Sequence, residues 1–384
     1  MKVTEVSTRV VDAGDRDWVF VRVDTDQPGL AGWGEASLGW QTHAVLGAVR
    51  DLEPLLLGLD PRPVERHWQT MTRGPYFKGG IATMSAISAI DQALWDIKAK
   101  DLGVPLFELL GGPVRDRVRT YVNLGSELGG DARRPEAWRD AAAAARDSGF
   151  DAMKAYPMAP ARPLEGASAL RAMEALVAAI REGAGEDADV MVDLHGRTTP
   201  AMGIQVGRAL EPLRPWFLEE PCQPGNADAM AEVARALPIP IATGERLVTR
   251  NEFREHLEKR ACAVIQPNAC YCGGVSELRR IAAMAEPFLV SVAPHNPNGP
   301  IGTFVSVHLA LALPNFLILE RVRDDVPWRT EVVDRPLETE EGYALPPTGA
   351  GIGVELVEGV AAAHPGRSPA PHLAFAPDGS LLDW

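Results

Sequence analysis

From about residue 118 the chain repeats one pattern eight times, a short β-like run followed by a helical stretch. The runs fall at 120–124, 152–156, 190–194, 216–218, 240–243, 263–265, 289–293 and 316–319. Stretches of helical composition lie between them, among them 136–148, 170–183, 226–237, 251–259 and 275–286. Strands separated by helices need crossovers, which makes the sheet parallel, and eight such units close into a TIM-type (β/α)8 barrel. Such a barrel takes about 250 residues, so a chain of 384 has room for a second module.

That module is legible at both ends. Val3, Val6, Thr8 and Val10, then Val19, Val21 and Val23, alternate with polar residues as half-buried antiparallel strands do. The period then becomes helical: Ile87, Ile90, Leu94 and Ile97 recur at i, i+3, i+7 and i+10, and Gly111-Gly112-Pro113 is the stop signal. Residues 1–117 therefore read as an α+β capping domain and 118–328 as the α/β barrel. The Pro- and Gly-rich segment 329–384 reads as completing the cap.

In a barrel the chemistry sits at the carboxyl ends of the strands. The polar residues there are Lys154 and Tyr156, Asp193 and His195, Glu219, Glu245, Asn268, His295 and Glu320. Asp193 to Glu219 is 26 residues and Glu219 to Glu245 again 26; steps of 23, 27 and 25 lead on to Asn268, His295 and Glu320. Each step is one βα unit, so the side chains converge on the barrel mouth. Three carboxylates on adjacent strands repel one another unless a cation lies between them, and an all-oxygen set suits Mg²⁺. Asp193, Glu219 and Glu245 are thus the expected metal ligands. Strand alternation predicts that Asp193 and His195 share a face, as do Lys154 and Tyr156, with Leu194 outward. By the same rule Glu220 turns away from Glu219.

Composition removes other classes. A formal charge of -14 and a pI near 5.1 repel phosphate backbones and anionic lipid, so neither nucleic acid nor membrane is an expected partner. No apolar run approaches the roughly 18 residues of a spanning helix, and the N-terminal stretch lacks the apolar segment of a signal peptide, which points to the cytoplasm. Cys222, Cys262, Cys270 and Cys272 lack zinc-site spacing and read as free thiols. Gly349, Gly351 and Gly353 follow a Pro-Pro turn rather than a strand, so they are no dinucleotide fingerprint.

Several segments carry a resemblance. Gly32-Trp33-Gly34-Glu35 resembles a substrate-loop strand of the enolase superfamily. The run from Ala89 to Asp96 (AIDQALWD) resembles its capping helix. Val192-Asp193-Leu194-His195-Gly196-Arg197, Phe217-Leu218-Glu219-Glu220-Pro221, Thr243-Gly244-Glu245-Arg246 and Ala293-Pro294-His295-Asn296-Pro297 match its metal and catalytic segments in order and spacing. The resemblance covers nearly the whole chain and points to the mandelate racemase subgroup, most closely to its D-galactonate dehydratase-like members. It implies removal of the proton α to a carboxylate with one Mg²⁺ per subunit, giving an enediolate. It places His295 at the base, His195 at the acid that protonates a leaving hydroxide, and Glu320 at a protonated acid facing the oxyanion. Lys154 takes the first position of a Lys-x-Lys element. A homo-oligomer, dimer or octamer, is implied as well.

Two positions depart from the family. Asn268 stands where an aspartate orients the histidine; an amide can orient the ring by accepting a hydrogen bond, without the charge. Tyr156 replaces the second lysine and is a far weaker base unless Lys154 lowers its pKa. His295 is the expected base, with Tyr156 the other candidate. Trp40 and Gln41, with Arg73, Tyr76 and Lys78, resemble the cap's two substrate loops and suit a polyhydroxy acid. The leading expectation is a Mg²⁺-dependent dehydratase of an aldonate or aldarate, because loss of hydroxide needs a general acid and racemisation does not. Two alternatives stay open: a racemase, epimerase or cycloisomerase on the same scaffold, and a non-catalytic paralogue that binds metal and sugar acid.

Overall fold

The computed structural model describes residues 1–125, 128–158, 161–323 and 325–383. Three antiparallel strands, β1 (Val3–Asp12), β2 (Asp17–Thr25) and β3 (Ala31–Glu35), open the chain. Helices α1 (Thr42–Leu52), α2 (Val64–Arg73) and α3 (Ile81–Leu102) follow. Val19, Val21 and Val23 pack with Ile87, Ile90, Leu94 and Ile97 of α3. The other face of β2 is covered too: Trp18 and Phe20 join a core with Val332, Val333, Ile352 and Val354 of the C-terminal segment. The strand expected to be half-buried is therefore buried on both faces. β3 lies against the backbone of α3, and a Cβ on Gly34 would come within 2.0 Å of Ala89 O, so no other residue fits there. α3 ends earlier than the Gly111-Gly112 signal suggests. Gly103 takes a left-handed φ of 69° and Pro105 cannot continue the helix; the glycine pair closes the short α4 (Leu106–Leu109) instead.

The barrel strands are β4 (Val118–Leu124), β5 (Ala152–Ala155), β6 (Asp189–Asp193), β7 (Leu218–Glu219), β8 (Ile241–Thr243), β9 (Val264–Ile265), β10 (Ser291–Val292) and β11 (Leu319–Arg321). They pair in parallel from β4 to β10, and β11 pairs with β4. A bridge from Val292 to Phe316, just before β11, closes the ring. Helices α5 (Pro135–Asp147), α6 (Ala167–Ala184), α7 (Pro200–Leu210), α8 (Ala227–Ala236), α9 (Thr249–Glu258), α10 (Gly274–Ala285) and α11 (Pro300–Ala312) form the outer layer. Tyr121, Ala152, Met191, Phe217, Ala242, Val264, Ala293 and Ile318, one from each strand or its flank, fill the interior. It is a packed core rather than a pore. Every strand shifts at an edge against the sequence reading, and two of the shifts matter for the site. Leu289 is an exposed left-handed turn residue before β10, and β11 runs on to include Glu320.

The C-terminal segment divides its contacts. A hairpin of β12 (Thr339–Glu340) and β13 (Tyr343–Ala344) pairs with the start of β4, whereas Pro365 bridges Val11 of β1. Asp17 accepts the N–H groups of Arg367 and Ser368, each at 2.9 Å. No helix among the described residues is long and apolar enough to cross a membrane.

Cap and barrel meet along a buried polar seam. Glu35 accepts the N–H of Gly299 at 2.6 Å and of Gly302 at 2.7 Å, which places a carboxylate on the N-terminus of α11. Asp91 does the same at α10, accepting Ser276 N at 2.9 Å and its hydroxyl at 2.6 Å. Gln92 donates to Ala269 O at 2.8 Å. Three acceptors and donors of the cap thus end up holding barrel backbone. Glu35→Ala leaves two buried N–H groups without an acceptor and is expected to lower the unfolding free energy by roughly 3 kcal/mol. Urea denaturation measures it; a loss below about 1 kcal/mol would mean the seam contributes little.

Candidate active site

Asp193 and Glu219 are the last residues of neighbouring strands and lie opposite each other in register. Glu245 follows β8 across Gly244, whose φ of 138° no side chain adopts easily and whose Cβ would strike Gln266 N at 2.8 Å. One oxygen from each of the three acids lies within 4.8 Å of the others. Asp193 and Glu219 are buried and Glu245 is half-buried. Glu219 Oε2 accepts Lys154 Nζ at 2.8 Å and Gln266 Nε2 at 2.7 Å, whereas its Oε1 is buried with no hydrogen-bond partner among the described residues. An unpaired buried carboxylate oxygen facing two more acids fits a cation with oxygen ligands.

His195 does sit beside Asp193, but strand alternation is not the cause. The strand has ended and His195 is left-handed at φ 50°. That turn brings its N–H to Asp193 Oδ1 at 2.7 Å and its Nε2 to Asp193 Oδ2 at 3.0 Å. Leu194 packs outward into the layer between strands and helices. Glu220 pairs with Arg246, which also donates to His195 O at 3.2 Å, and the Glu220 charge still reaches Glu245. The residues following two of the acids thus brace the His195 turn.

Lys154 is buried in the middle of this charge, 2.8 Å from Glu219, 3.7 Å from Asp193 and 3.9 Å from Glu320. Burial alone would depress its pKa, but Glu219 and Glu320 outweigh it and hold the ammonium well above its ordinary range. Its charge is thereby committed to carboxylates. Tyr156, just past β5, stacks obliquely 5.4 Å from the His195 ring. Burial and the charge of Asp193 push Glu219 well above the carboxylate range, and burial with Glu220 and Asp193 raises Glu245 to about 7. Asp193 goes the other way: burial opposes ionisation, yet His195 and Lys154 prevail and lower it. At Glu320 burial favours the protonated form that the resemblance implies, whereas Lys154 and His295 act against it; Asn296 N donates at 2.8 Å and Asn123 donates as well, and the net direction is downward from the ordinary carboxylate value.

His295 faces the cluster from the other side, Nε2 3.3 Å from Glu245 and 3.9 Å from Glu320; burial lowers its pKa to about 4. Its Nδ1 is met by Asn268 Nδ2 at 3.1 Å and Tyr271 Oη at 2.7 Å. The amide therefore presents a donor to the ring, where the sequence suggested an acceptor, because its oxygen already accepts Cys270 N.

Nine strand-end candidates thus meet at one mouth: Lys154, Tyr156, Asp193, His195, Glu219, Glu245, Asn268, His295 and Glu320. The five cap candidates divide differently. Trp40 (φ 61°) and Gln41 form the turn into α1, half-buried and exposed respectively. Arg73 lines an open groove with Arg62, Arg66 and Lys98, Tyr76 is 89% exposed and Lys78 is exposed. The loop carrying the last two contains Gly79 and Gly80 at positive φ and is exposed. Asn123, Gln266 and Tyr271 were not anticipated. Gln266 had a signal, two residues before Asn268 and hence on the same strand face; Tyr271 lies in an irregular turn and had none.

A cap over a (β/α)8 barrel, with acids from three successive strands between two histidines, defines an enolase-type protein. The chain belongs to the mandelate racemase / muconate lactonizing enzyme family of the enolase superfamily. That family's N-terminal domain matches residues 3–111 and the enolase C-terminal domain-like family matches 137–360. A D-galactonate dehydratase of Ralstonia nicotianae is 38% identical, with 100% of each chain covered. A crystal structure of an enolase from Agrobacterium radiobacter, provisionally described as a galactarate dehydratase and bound to Na and L-malate, superposes with a TM-score of 0.92. It is 33% identical, with 100% of both chains covered. A member of the enolase superfamily from Salmonella Typhimurium superposes at 0.89 with 34% identity, covering 95% of this chain and 98% of that one.

Carboxylates must be ionised to hold a metal, so a cation held there would compete with protons for Glu219 and Glu245, whose pKa values are raised. A carboxyl raised to about 7 is largely neutral at pH 6 and ionised at pH 8. Mg²⁺ affinity, measured by calorimetry, is expected to fall about tenfold per pH unit below 7 for each proton displaced. A flat profile would contradict the assignment.

Proposed function

We propose that this chain is a hydro-lyase that removes water from an acid sugar, an aldonate or aldarate, to give a 2-keto-3-deoxy acid. The observation that carries the reading is the pair of histidines on opposite flanks of the acids, His195 at Asp193 and His295 at Glu245. Proton removal from one carbon and proton delivery to a hydroxyl on the next need two such groups. The names of the relatives support the same chemistry, and L-malate in the Agrobacterium structure is itself a hydroxy acid.

In this reading Asp193, Glu219 and Glu245 hold one Mg²⁺, an ion that suits their hard oxygens. When bound, it supplies positive charge that offsets the carboxylate of the substrate and the charge that develops beside it. His295 takes the α-proton. The electron pair left on that carbon forms the enediolate and then expels the β-hydroxyl, which His195 protonates so that it departs as water. The resulting enol becomes the keto acid. Lys154, fixed among Glu219, Asp193 and Glu320, keeps a second positive charge at the place where negative charge accumulates. Glu320 is held by Asn123 and Asn296, so its carboxyl orientation does not depend on substrate.

D-galactonate and galactarate are the first substrates to test, each with Mg²⁺ in D₂O, following keto-acid formation and α-deuterium uptake. His195→Asn is expected to keep α-exchange while water loss falls roughly 100-fold or more. His295→Asn should lose both. Full α-exchange in His295→Asn would remove it as the base, and an active wild type that exchanges without losing water would favour racemase chemistry.

A further inference from the structure

His195 reaches the acids through two consecutive left-handed residues, His195 at φ 50° and Gly196 at φ 65°. A side chain at the first of these costs energy that its surroundings must recover. Main-chain bonds recover part of it: Gly196 N donates to Glu220 O at 2.8 Å and Arg197 N to Leu194 O at 3.1 Å. Asp193 Oδ1 accepts His195 N at 2.7 Å. The His195 carbonyl is met from outside the turn, by Arg246 Nη2 at 3.2 Å.

Arg246 is itself held for this contact. Its Nη2 also pairs with the Glu220 carboxylate, which is fully buried, and its Nη1 donates to Gln223 Oε1 at 3.3 Å. Gly196 completes the fit: a Cβ there would lie 2.1 Å from Nη2, so the guanidinium can come this close only to a glycine. All three acceptors lie on the His195 flank of the acids. His295, on the other flank, is met by Asn268 and Tyr271 instead. The brace is one-sided.

We propose that Arg246 is a positioning residue: by holding the His195 turn it sets how many enediolates go on to lose water rather than return to substrate. The proposal rests on the dehydratase reading for the reaction and on hydrogen-bond geometry for the turn. The enediolate has two exits. A proton returned to the α-carbon regenerates substrate, with a solvent hydrogen in place of the original. Otherwise the electron pair expels the β-hydroxyl, the C–O bond breaks, and His195 supplies the proton with which the leaving group becomes water. Only the second exit needs His195 in its place. A slackened turn therefore slows elimination and leaves α-proton removal by His295 as before.

The test uses Arg246→Gln and, because that change alone strands the buried Glu220 carboxylate, the double variant Glu220→Gln/Arg246→Gln. On D-galactonate or galactarate with Mg²⁺ in D₂O, water loss is expected to fall roughly tenfold or more, in kcat and with KM little changed. Deuterium uptake at the α-carbon of recovered substrate is expected to persist, so the ratio of exchange to elimination rises by about the same factor. A double variant that melts and binds Mg²⁺ like wild type and keeps the wild-type ratio would overturn the proposal. So would one in which exchange and water loss fall together, since that marks a general loss of the site. If the wild type acts on no acid sugar, the dehydratase reading fails, and a crystal structure of the double variant still judges the brace. A displaced His195 turn supports it; a left-handed His195 with its ring unmoved beside Asp193 refutes it.

Discussion

Four carboxylates crowd the mouth of the barrel around one lysine, and most of the local architecture answers to that charge. Asp193, Glu219 and Glu320 are each at most 1% exposed. In so dry a place like charges a few ångströms apart cost several kcal/mol unless a cation or a proton intervenes. Lys154 offsets part of the repulsion, and burial first, with the repulsion that remains, keeps the pKa values of Glu219 and Glu245 raised. A divalent cation between the acids would replace those protons. The stored repulsion is therefore also the driving force for filling the site.

The cap solves a similar problem in another way. Two of its buried acids, Glu35 and Asp91, lie on the N-termini of α11 and α10, where main-chain N–H groups and the helix dipole offset part of the burial that raises both pKa values. The same two helices follow the loops that carry Asn268 and His295. Anchoring them therefore also holds the turn from Asn268 to Gly273 that lies against His295. In this fold the cap bears on the chemistry through the barrel's own backbone, as well as through any loop over the mouth.

Asn268 shows how one substitution is absorbed. Where the resemblance has an aspartate, this chain has a closed amide pair, Asn268 with Asn298, that uses up the acceptor oxygen. A tyrosine three residues on meets the same ring nitrogen as the amide. Tyr156 differs in kind: it meets the ring of His195. Both departures keep the histidines in place and alter what surrounds them.

Much of this was written in the linear chain. A strand-helix period repeated eight times, with an acid or histidine closing one strand after another, specified a barrel and convergence at one end, because strand direction and period follow from local chemistry alone. The nine strand-end residues were legible for that reason. What pairwise position within the mouth each would take was not. His195 reaches Asp193 through a left-handed turn, Asn268 offers a donor because Cys270 N claims its oxygen, and Tyr271 arrives from an irregular turn with no period. The second buried face of β2 likewise depended on a segment some 300 residues away. Pattern determines which face a side chain takes and which end of the barrel it reaches. Hydrogen-bond direction, protonation and the closing of the cap depend on groups distant in sequence, and only the folded chain brings those together.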